Sequence, residues 1–223
     1  MVVLATKCYV SGDARERALD SLTAQIDNEV GGLDVSFEVG VRDDDFVVVT
    51  VEGPDATAAR NHLADVWGTL PPTLSVGETY RGTLSSWDDD GFVLDVGHGQ
   101  SVRIPTDGLG LGQGTPSQIR KRFGLVQHLP LRFVNDDPPR LADAERDRLY
   151  EWTRGSGRVN VNSATRAQVR ATVNRAGHAR DIVTVERLGL LEQSIVCTDE
   201  TDPPGLLASI GEYLPSELLA VVP

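Results

Sequence analysis

Residues 76–97 read VGETYRGTLSSWDDDGFVLDVG, and this stretch decides the fold of the middle of the chain. It predicts two strands, at 80–87 and 91–96, joined by a hairpin turn whose glycine can adopt a positive φ. A strand at 101–104, a helix capped by Thr115 and Gln118, and a closing strand at 125–134 follow. Residues 76–134 therefore predict a small closed β-barrel.

Two α/β segments flank this barrel. In the first, Ala18, Leu22, Ile26 and Val30 recur every four residues, which predicts an amphipathic helix within the order β-α-β-β-α. The segment after the barrel predicts the order β-α-β-β-α-β. The second order is typical of a ferredoxin-like unit, and the first resembles such a unit whose last strand is missing or supplied elsewhere. We therefore expect an α+β protein with an N-terminal ferredoxin-like segment at 1–72, a barrel at 73–137 and a C-terminal ferredoxin-like segment at 138–223.

Sixteen residues at the start of the barrel, 82–97, resemble the first hairpin of the ribosomal S-one type of OB-fold. The positions that match that pattern are Gly82, Thr83, Leu84, Gly91, Leu94, Asp95 and Gly97. The resemblance implies an OB-like barrel, a fold that commonly binds single-stranded nucleic acid. Where the family places base-stacking aromatic residues, this sequence has Asp90 and Val93, and Phe92 is expected in the core. The resemblance therefore implies the fold without the stacking surface.

Two other resemblances cover more of the chain or a different part of it. The arrangement as a whole resembles an uncharacterised archaeal family that carries only a domain-of-unknown-function label, which implies no activity. Residues 201–215, TDPPGLLASIGEYLP, resemble the turn and helix of ACT ligand-binding domains. That likeness implies a small-ligand sensor.

The composition is acidic and poor in lysine. The net charge is −12, and 21 Asp and 12 Glu face 19 Arg and only two Lys. Carboxylates at this density hold water and keep a chain soluble by repulsion, as in proteins adapted to a salty cytoplasm. The first residues lack the basic region of a signal peptide, and no apolar run is long enough for a membrane span. We therefore expect a halophilic, cytoplasmic protein without a membrane partner, and with reduced, buried cysteines.

One stretch of the chain has the opposite charge. Residues 119–187 contain 14 basic and 8 acidic side chains. The basic residues selected as a candidate nucleic-acid surface are Arg120, Lys121, Arg122, Arg166 and Arg170. One interpretation is a surface that binds phosphates or an acidic protein partner. The other is ordinary ion pairing with the carboxylates of Asp143, Glu145, Asp147 and Glu151.

The sequence contains no recognisable catalytic constellation. The four histidines are scattered without metal-ligand spacing, and the glycines at 108–114 lack the lysine of a phosphate loop. Acidic turns at 43–45 and 88–90 are interpreted as solvated. We therefore expect a non-enzymatic protein without a metal or cofactor.

Three functions remain open from the sequence. The first is binding to RNA or to an RNA-containing machine such as the ribosome, which the positive stretch favours. The second is a protein-interaction or transcription-associated adaptor whose barrel no longer reads bases, which the missing aromatic residues favour. The third is the ACT-like small-ligand sensor.

Overall fold

The computed structural model describes residues 1–223 as a mixed α+β protein with three antiparallel sheets and seven helices. The strands are β1 Val2–Lys7, β2 Ser36–Val41, β3 Phe46–Glu52, β4 Thr79–Asp88, β5 Gly91–Gly97, β6 Gln100–Pro105, β7 Pro130–Val134, β8 Arg140–Leu141, β9 Arg158–Val161, β10 Ile182–Arg187, β11 Gln193–Cys197 and β12 Leu218–Val221. The helices are α1 Gly12–Val30, α2 Ala56–Trp67, α3 Thr106–Leu109, α4 Pro116–Arg122, α5 Asp143–Trp152, α6 Arg166–Arg175 and α7 Pro203–Gly211. None of these helices combines the length and the apolar character needed to cross a membrane.

The N-terminal sheet has the order β1-β3-β2, with α1 and α2 packed on it. The predicted face of α1 is confirmed, because its buried residues are Ala18, Leu22, Ile26 and Val30. This sheet has no fourth strand. One bridge between Leu4 and Thr69 lies at the other edge of β1, where the Ala5 N–H donates to the Gly68 carbonyl and the Leu70 N–H donates to the Val3 carbonyl. The chain thus returns to the free edge of β1 before it enters the central sheet.

The central sheet has the order β6-β5-β4-β7-β8, and no ladder joins its two edge strands. The closed barrel that we expected is therefore not found. One reason is that β8 has only two residues, and another is that α3 lies against both edges, β6 and β8. Phe92 is fully buried in the core of this sheet, as predicted.

Helix α5 packs into the core of the central sheet through Leu149 and Trp152. This placement brings β8 and α5, which follow residue 137 and were expected with the C-terminal segment, onto β7. Helix α5 therefore lies between the central sheet and the C-terminal sheet.

The C-terminal sheet has the order β10-β11-β9-β12, and α6 and α7 supply its apolar cover. Its neighbouring strands all run antiparallel. Cys197 is buried in this core, and Cys8 is buried in the N-terminal core, both as free thiols.

Buried polar contacts join the three sheets. The Tyr9 hydroxyl donates to Glu192 Oε1 at 2.7 Å and accepts from the Ser163 backbone N–H at 3.0 Å. The Tyr9 ring also stacks on His128, with 4.0 Å between ring centroids. Tyr9 therefore joins the N-terminal part of the chain to both the central part and the C-terminal part.

Candidate functional site

An open cleft of about 590 Å³ lies between α5 and the C-terminal sheet. This outer cleft is lined mostly by polar residues: Arg148, Glu151, Trp152, Arg158, Arg166, Thr184, Val185, Glu186, Arg187 and Leu188. A smaller cavity of about 210 Å³, the inner chamber, shares Arg148, Arg187 and Leu188 with it. The other residues of the inner chamber are Val66, Arg81, Pro130, Arg132 and Glu145. Six arginines thus line two adjacent cavities, which we together call the arginine cleft.

The central sheet contributes two of these arginines as direct neighbours. Arg81 on β4 is paired with Arg132 on β7 in the antiparallel register. Like charges placed directly opposite each other on neighbouring strands repel and destabilise the sheet. The Arg132 Nε–H donates to Glu145 Oε2 at 2.9 Å, and this carboxylate offsets the positive charge of Arg132. Arg81 donates only to the Val66 carbonyl, at 3.1 Å. Arg81 therefore has no carboxylate partner.

Helix α5 presents three site residues on one face. Glu145, Arg148 and Trp152 are spaced by three and four positions, which places them on adjacent turns. Glu145 is only 1% exposed, and its two oxygens accept from Arg132 and Arg148. The guanidinium groups of Arg148 and Arg158 lie 5.0 and 4.8 Å from the Trp152 ring centroid. The tryptophan thus orders two arginines from different parts of the chain.

Arg187 is held by the N-terminal helices. Its guanidinium carbon lies 3.8 Å from the Trp67 ring centroid, and its Nη1 donates to Gln25 Oε1 at 2.7 Å. Glu29 accepts from both Trp67 Nε1, at 2.9 Å, and Arg187 Nη1, at 3.4 Å. These contacts fix the side chain that the outer cleft and the inner chamber share.

Burial and neighbouring charges lower the pKa values of three cleft arginines. Burial has the largest effect on the pKa of the Arg81 guanidinium, the like charges of Arg132, Arg148 and Arg187 lower it further, and Glu145 raises it. Burial is also the main cause of the lowered pKa values of Arg158 and Arg187. Arginine nevertheless stays protonated in proteins, so the cluster remains positive and its repulsion persists. An anion in the cleft would relieve that repulsion.

Two of the arginines selected from the sequence are structural. Arg120 is 4% exposed, because α4 turns it inward together with Ile119 and Phe123. Its guanidinium stacks on Trp87, 3.7 Å from the ring centroid, and forms a salt bridge with Glu217. The structure therefore places Arg120 in the interior, away from the surface that the sequence predicted for it.

Arg122 is exposed at its stem, but its guanidinium closes the preceding loop. It donates to the Leu111 carbonyl at 3.3 Å and to the Gln113 carbonyl. Of the remaining selected residues, Lys121, Arg166 and Arg170 are exposed. Only Arg166 lines the arginine cleft, so the structure does not gather the five residues at one site.

Sequence reasoning missed the other five cleft arginines: Arg81, Arg132, Arg148, Arg158 and Arg187. They lie on five different elements, β4, β7, α5, β9 and β10, so no local motif contains them. The available signal was the positive stretch 119–187, which contains all of them except Arg81.

A serine, a histidine and an aspartate form a hydrogen-bonded chain elsewhere. His178 lies 2.6 Å from Asp181 Oδ2 through Nδ1 and 2.7 Å from Ser209 Oγ through Nε2. Ser209 lies inside α7, where backbone N–H groups are used by the helix and cannot form an oxyanion hole. None of the three residues lines the arginine cleft. We interpret these two hydrogen bonds as a structural link between the residues that follow α6 and helix α7.

The positions at which S-one type OB-folds carry base-stacking aromatic residues have no aromatic side chain here. Asp90 is exposed at the hairpin turn, Val93 is half-buried, and Phe92 is in the core. No three His, Cys, Asp or Glu side chains converge as metal ligands. The arginine cleft is therefore the strongest concentration of functional groups in the chain.

Family models match nearly the whole chain. The DUF2110 N-terminal domain matches residues 1–73, the DUF2110 central domain residues 74–153, and the DUF2110 C-terminal domain residues 156–222. The chain belongs to the DUF2110 family. No curated protein matches it.

The inner chamber lies where the three DUF2110 domains meet. Val66 belongs to the N-terminal domain, Arg81, Arg132, Glu145 and Arg148 to the central domain, and Arg187 to the C-terminal domain. The site therefore exists only when all three domains are folded together.

Proposed function

We propose that this DUF2110 protein is a non-enzymatic binding protein for RNA or an RNA-containing machine, and that it holds the phosphate backbone in the arginine cleft. The observation that carries the proposal is the excess of guanidinium groups. Six arginines line the cleft, three carboxylates, Glu145, Glu151 and Glu186, share the lining, and Glu29 pairs with Arg187 from behind, which leaves a net charge of +2. A positive groove in a chain of net charge −12 concentrates polyanions there.

The chemistry of arginine favours phosphate as the bound group. A guanidinium presents a planar fork of N–H donors that matches two phosphate oxygens, and such charge-assisted hydrogen bonds are strong. Trp152 and Trp67 already order Arg148, Arg158 and Arg187. Less side-chain entropy is then lost when the ligand binds.

We further infer that the central sheet is an OB-type fold opened between β6 and β8, and that the two flanking sheets are ferredoxin-like. The strand order around β4, with a helix before β7, supports the first inference. The order β10-β11-β9-β12 with two crossing helices supports the second. In this proposal the OB-type sheet supplies Arg81 and Arg132 while its usual base-reading face is unused.

We also propose that the protein works in a salt-rich archaeal cytoplasm. An acidic, lysine-poor chain fits a salt-rich archaeal cytoplasm, where the Debye length falls to about 3 Å at 1 M salt. A diffuse basic surface would attract little RNA there. Pre-ordered arginines keep their phosphate contacts under such screening, because bidentate geometry acts at hydrogen-bond distance.

The proposal is tested with the full chain and a fluorescent single-stranded RNA by anisotropy at several salt concentrations. We expect Arg166→Gln to weaken binding about tenfold. We also expect it to reduce the slope of log K against log salt by about 0.7. The matched controls are Lys121→Gln and Arg170→Gln, which also remove one exposed positive charge but lie outside the cleft lining.

Equal losses in the cleft variant and both controls would overturn the assignment to the cleft. The absence of RNA binding by the unaltered protein would overturn the function itself. Binding of an acidic peptide, lost in Arg166→Gln, would then support the adaptor function instead. A melting shift with an amino acid and not with RNA would support the small-ligand sensor.

A further inference from the structure

The inner chamber differs from the outer cleft in size and in charge. Its volume of about 210 Å³ lies below the roughly 300–1,000 Å³ of pockets that enclose a drug-sized ligand. A phosphate group fits such a space, whereas a whole nucleotide does not. A terminal phosphate can therefore occupy the chamber while the rest of the strand lies in the outer cleft.

The charge of the chamber exceeds what one phosphodiester would balance. Arg81, Arg132, Arg148 and Arg187 contribute four positive charges, and Glu145 in the lining and Glu29 behind Arg187 contribute two negative charges. The net charge is then +2. A phosphodiester carries one negative charge, whereas a terminal phosphomonoester carries about 1.5 to 2 at pH 7.

The arginine side chains of the chamber are held in place, but not all of their N–H groups form hydrogen bonds. Glu145 uses both oxygens on Arg132 and Arg148, and Arg81 donates to a single neutral carbonyl. Arg81 lines the chamber and has five N–H donors, of which one is used. Its other donors are therefore free to bind an anion in the chamber.

From these observations we propose that the inner chamber binds a single terminal phosphate, so that the arginine cleft selects strands with a phosphomonoester end. The proposal rests on the proposed RNA binding and makes it more specific. The outer cleft holds the adjoining backbone through Arg158 and Arg166, and Arg148 and Arg187 contact both parts. Glu145 acts as a positioning residue that holds Arg132 and Arg148 in place.

The test compares three RNA strands of one sequence with an internal fluorophore: one with a 5′-phosphate, one with a 3′-phosphate, and one with hydroxyl groups at both ends. We expect one phosphorylated strand to bind the full chain at least about tenfold more tightly than the hydroxyl strand. Which phosphorylated strand binds tightly identifies the end that enters the chamber. This comparison uses the unaltered protein, so it does not depend on any variant folding.

Two variants then locate the preference. Arg81→Gln should bring the phosphorylated strand to the affinity of the hydroxyl strand, because Arg81 lines the chamber and not the outer cleft. Arg166→Gln should weaken all three strands by the same factor. Equal affinity of the three strands for the unaltered protein would overturn the end-specific proposal and leave RNA binding intact. Failure of all three strands to bind would overturn both.

Discussion

Replacement of Arg120 separates a structural arginine from a binding one. Its guanidinium is buried between Trp87 and Glu217, and Glu217 Oε2 also accepts from the Gln127 backbone N–H at 2.8 Å. Arg120→Gln would leave the Glu217 carboxylate without its charge partner. We therefore expect a loss of stability and no loss of RNA affinity.

The magnitude follows from the burial of the two partners. Removal of one member of a fully buried ion pair costs about 3–5 kcal/mol. Glu217 keeps 32% of its side chain exposed and can recover some hydration, which reduces the expected cost to about 2–3 kcal/mol. For a chain of this length the melting temperature should fall by about 5–10 °C.

The assay is thermal and urea unfolding of Arg120→Gln, Glu217→Gln and the double variant, with Lys121→Gln as the exposed control. The double-variant cycle should give a coupling energy of about 1–2 kcal/mol, and the control should shift stability by less than about 0.5 kcal/mol. An Arg120→Gln protein that melts normally and binds RNA more weakly would refute this reasoning.

Two further predictions concern buried and hydrogen-bonded groups outside the cleft. Burial raises the pKa of Glu192 to about 8, so the folded chain keeps a proton that the unfolded chain loses above about pH 4.5. The contribution of the protonated Glu192 to the free energy of unfolding is complete below about pH 4.5. It falls by about 1.4 kcal/mol per pH unit above that, until it is lost as the pH rises through about 8. Glu192→Gln should therefore flatten the pH dependence of urea unfolding between 5 and 8, and an unchanged slope would contradict the assignment. Ser209→Ala should cost about 1 kcal/mol through its lost bond to His178. A fluorophosphonate probe should leave Ser209 unlabelled, and labelling that Ser209→Ala abolishes would point to a hydrolase.

Local signals in the sequence predicted local structure well. The capping box predicted from Thr115 and Gln118 is present in both hydrogen bonds, 3.3 and 2.9 Å long. The spacing of Ala18, Leu22 and Ile26 identified the buried face of α1. These features depend on neighbours within one or two helical turns, so the sequence alone contains the necessary information.

The burial of Arg120 could also have been predicted from the sequence, although its charge suggested an exposed position. Arg120 follows Pro116 by four residues and precedes Phe123 by three, which places it on the buried face of α4. What the sequence could not give is Trp87 and Glu217, the partners that make burial of this charge tolerable.

The arginine cleft could be predicted only as an excess of charge. Arg81 and Arg132 are 51 positions apart and become neighbours through the register of β4 and β7. Arg187 reaches them because Trp67 and Glu29, from the other end of the chain, hold it there. Contacts at such separations depend on how three sheets pack, and no spacing rule within one segment encodes them.

The central claim is that a phosphate backbone lies in the arginine cleft, and photo-cross-linking tests it most directly. RNA that contains 4-thiouridine would be irradiated with the full chain, and the attached peptides would be located by mass spectrometry. The account predicts cross-links on α5 near Trp152 and on β10 and the residue after it, Thr184 to Leu188, which line the outer cleft. Cross-links confined to Lys121 and Arg170, with none in the cleft, would contradict it.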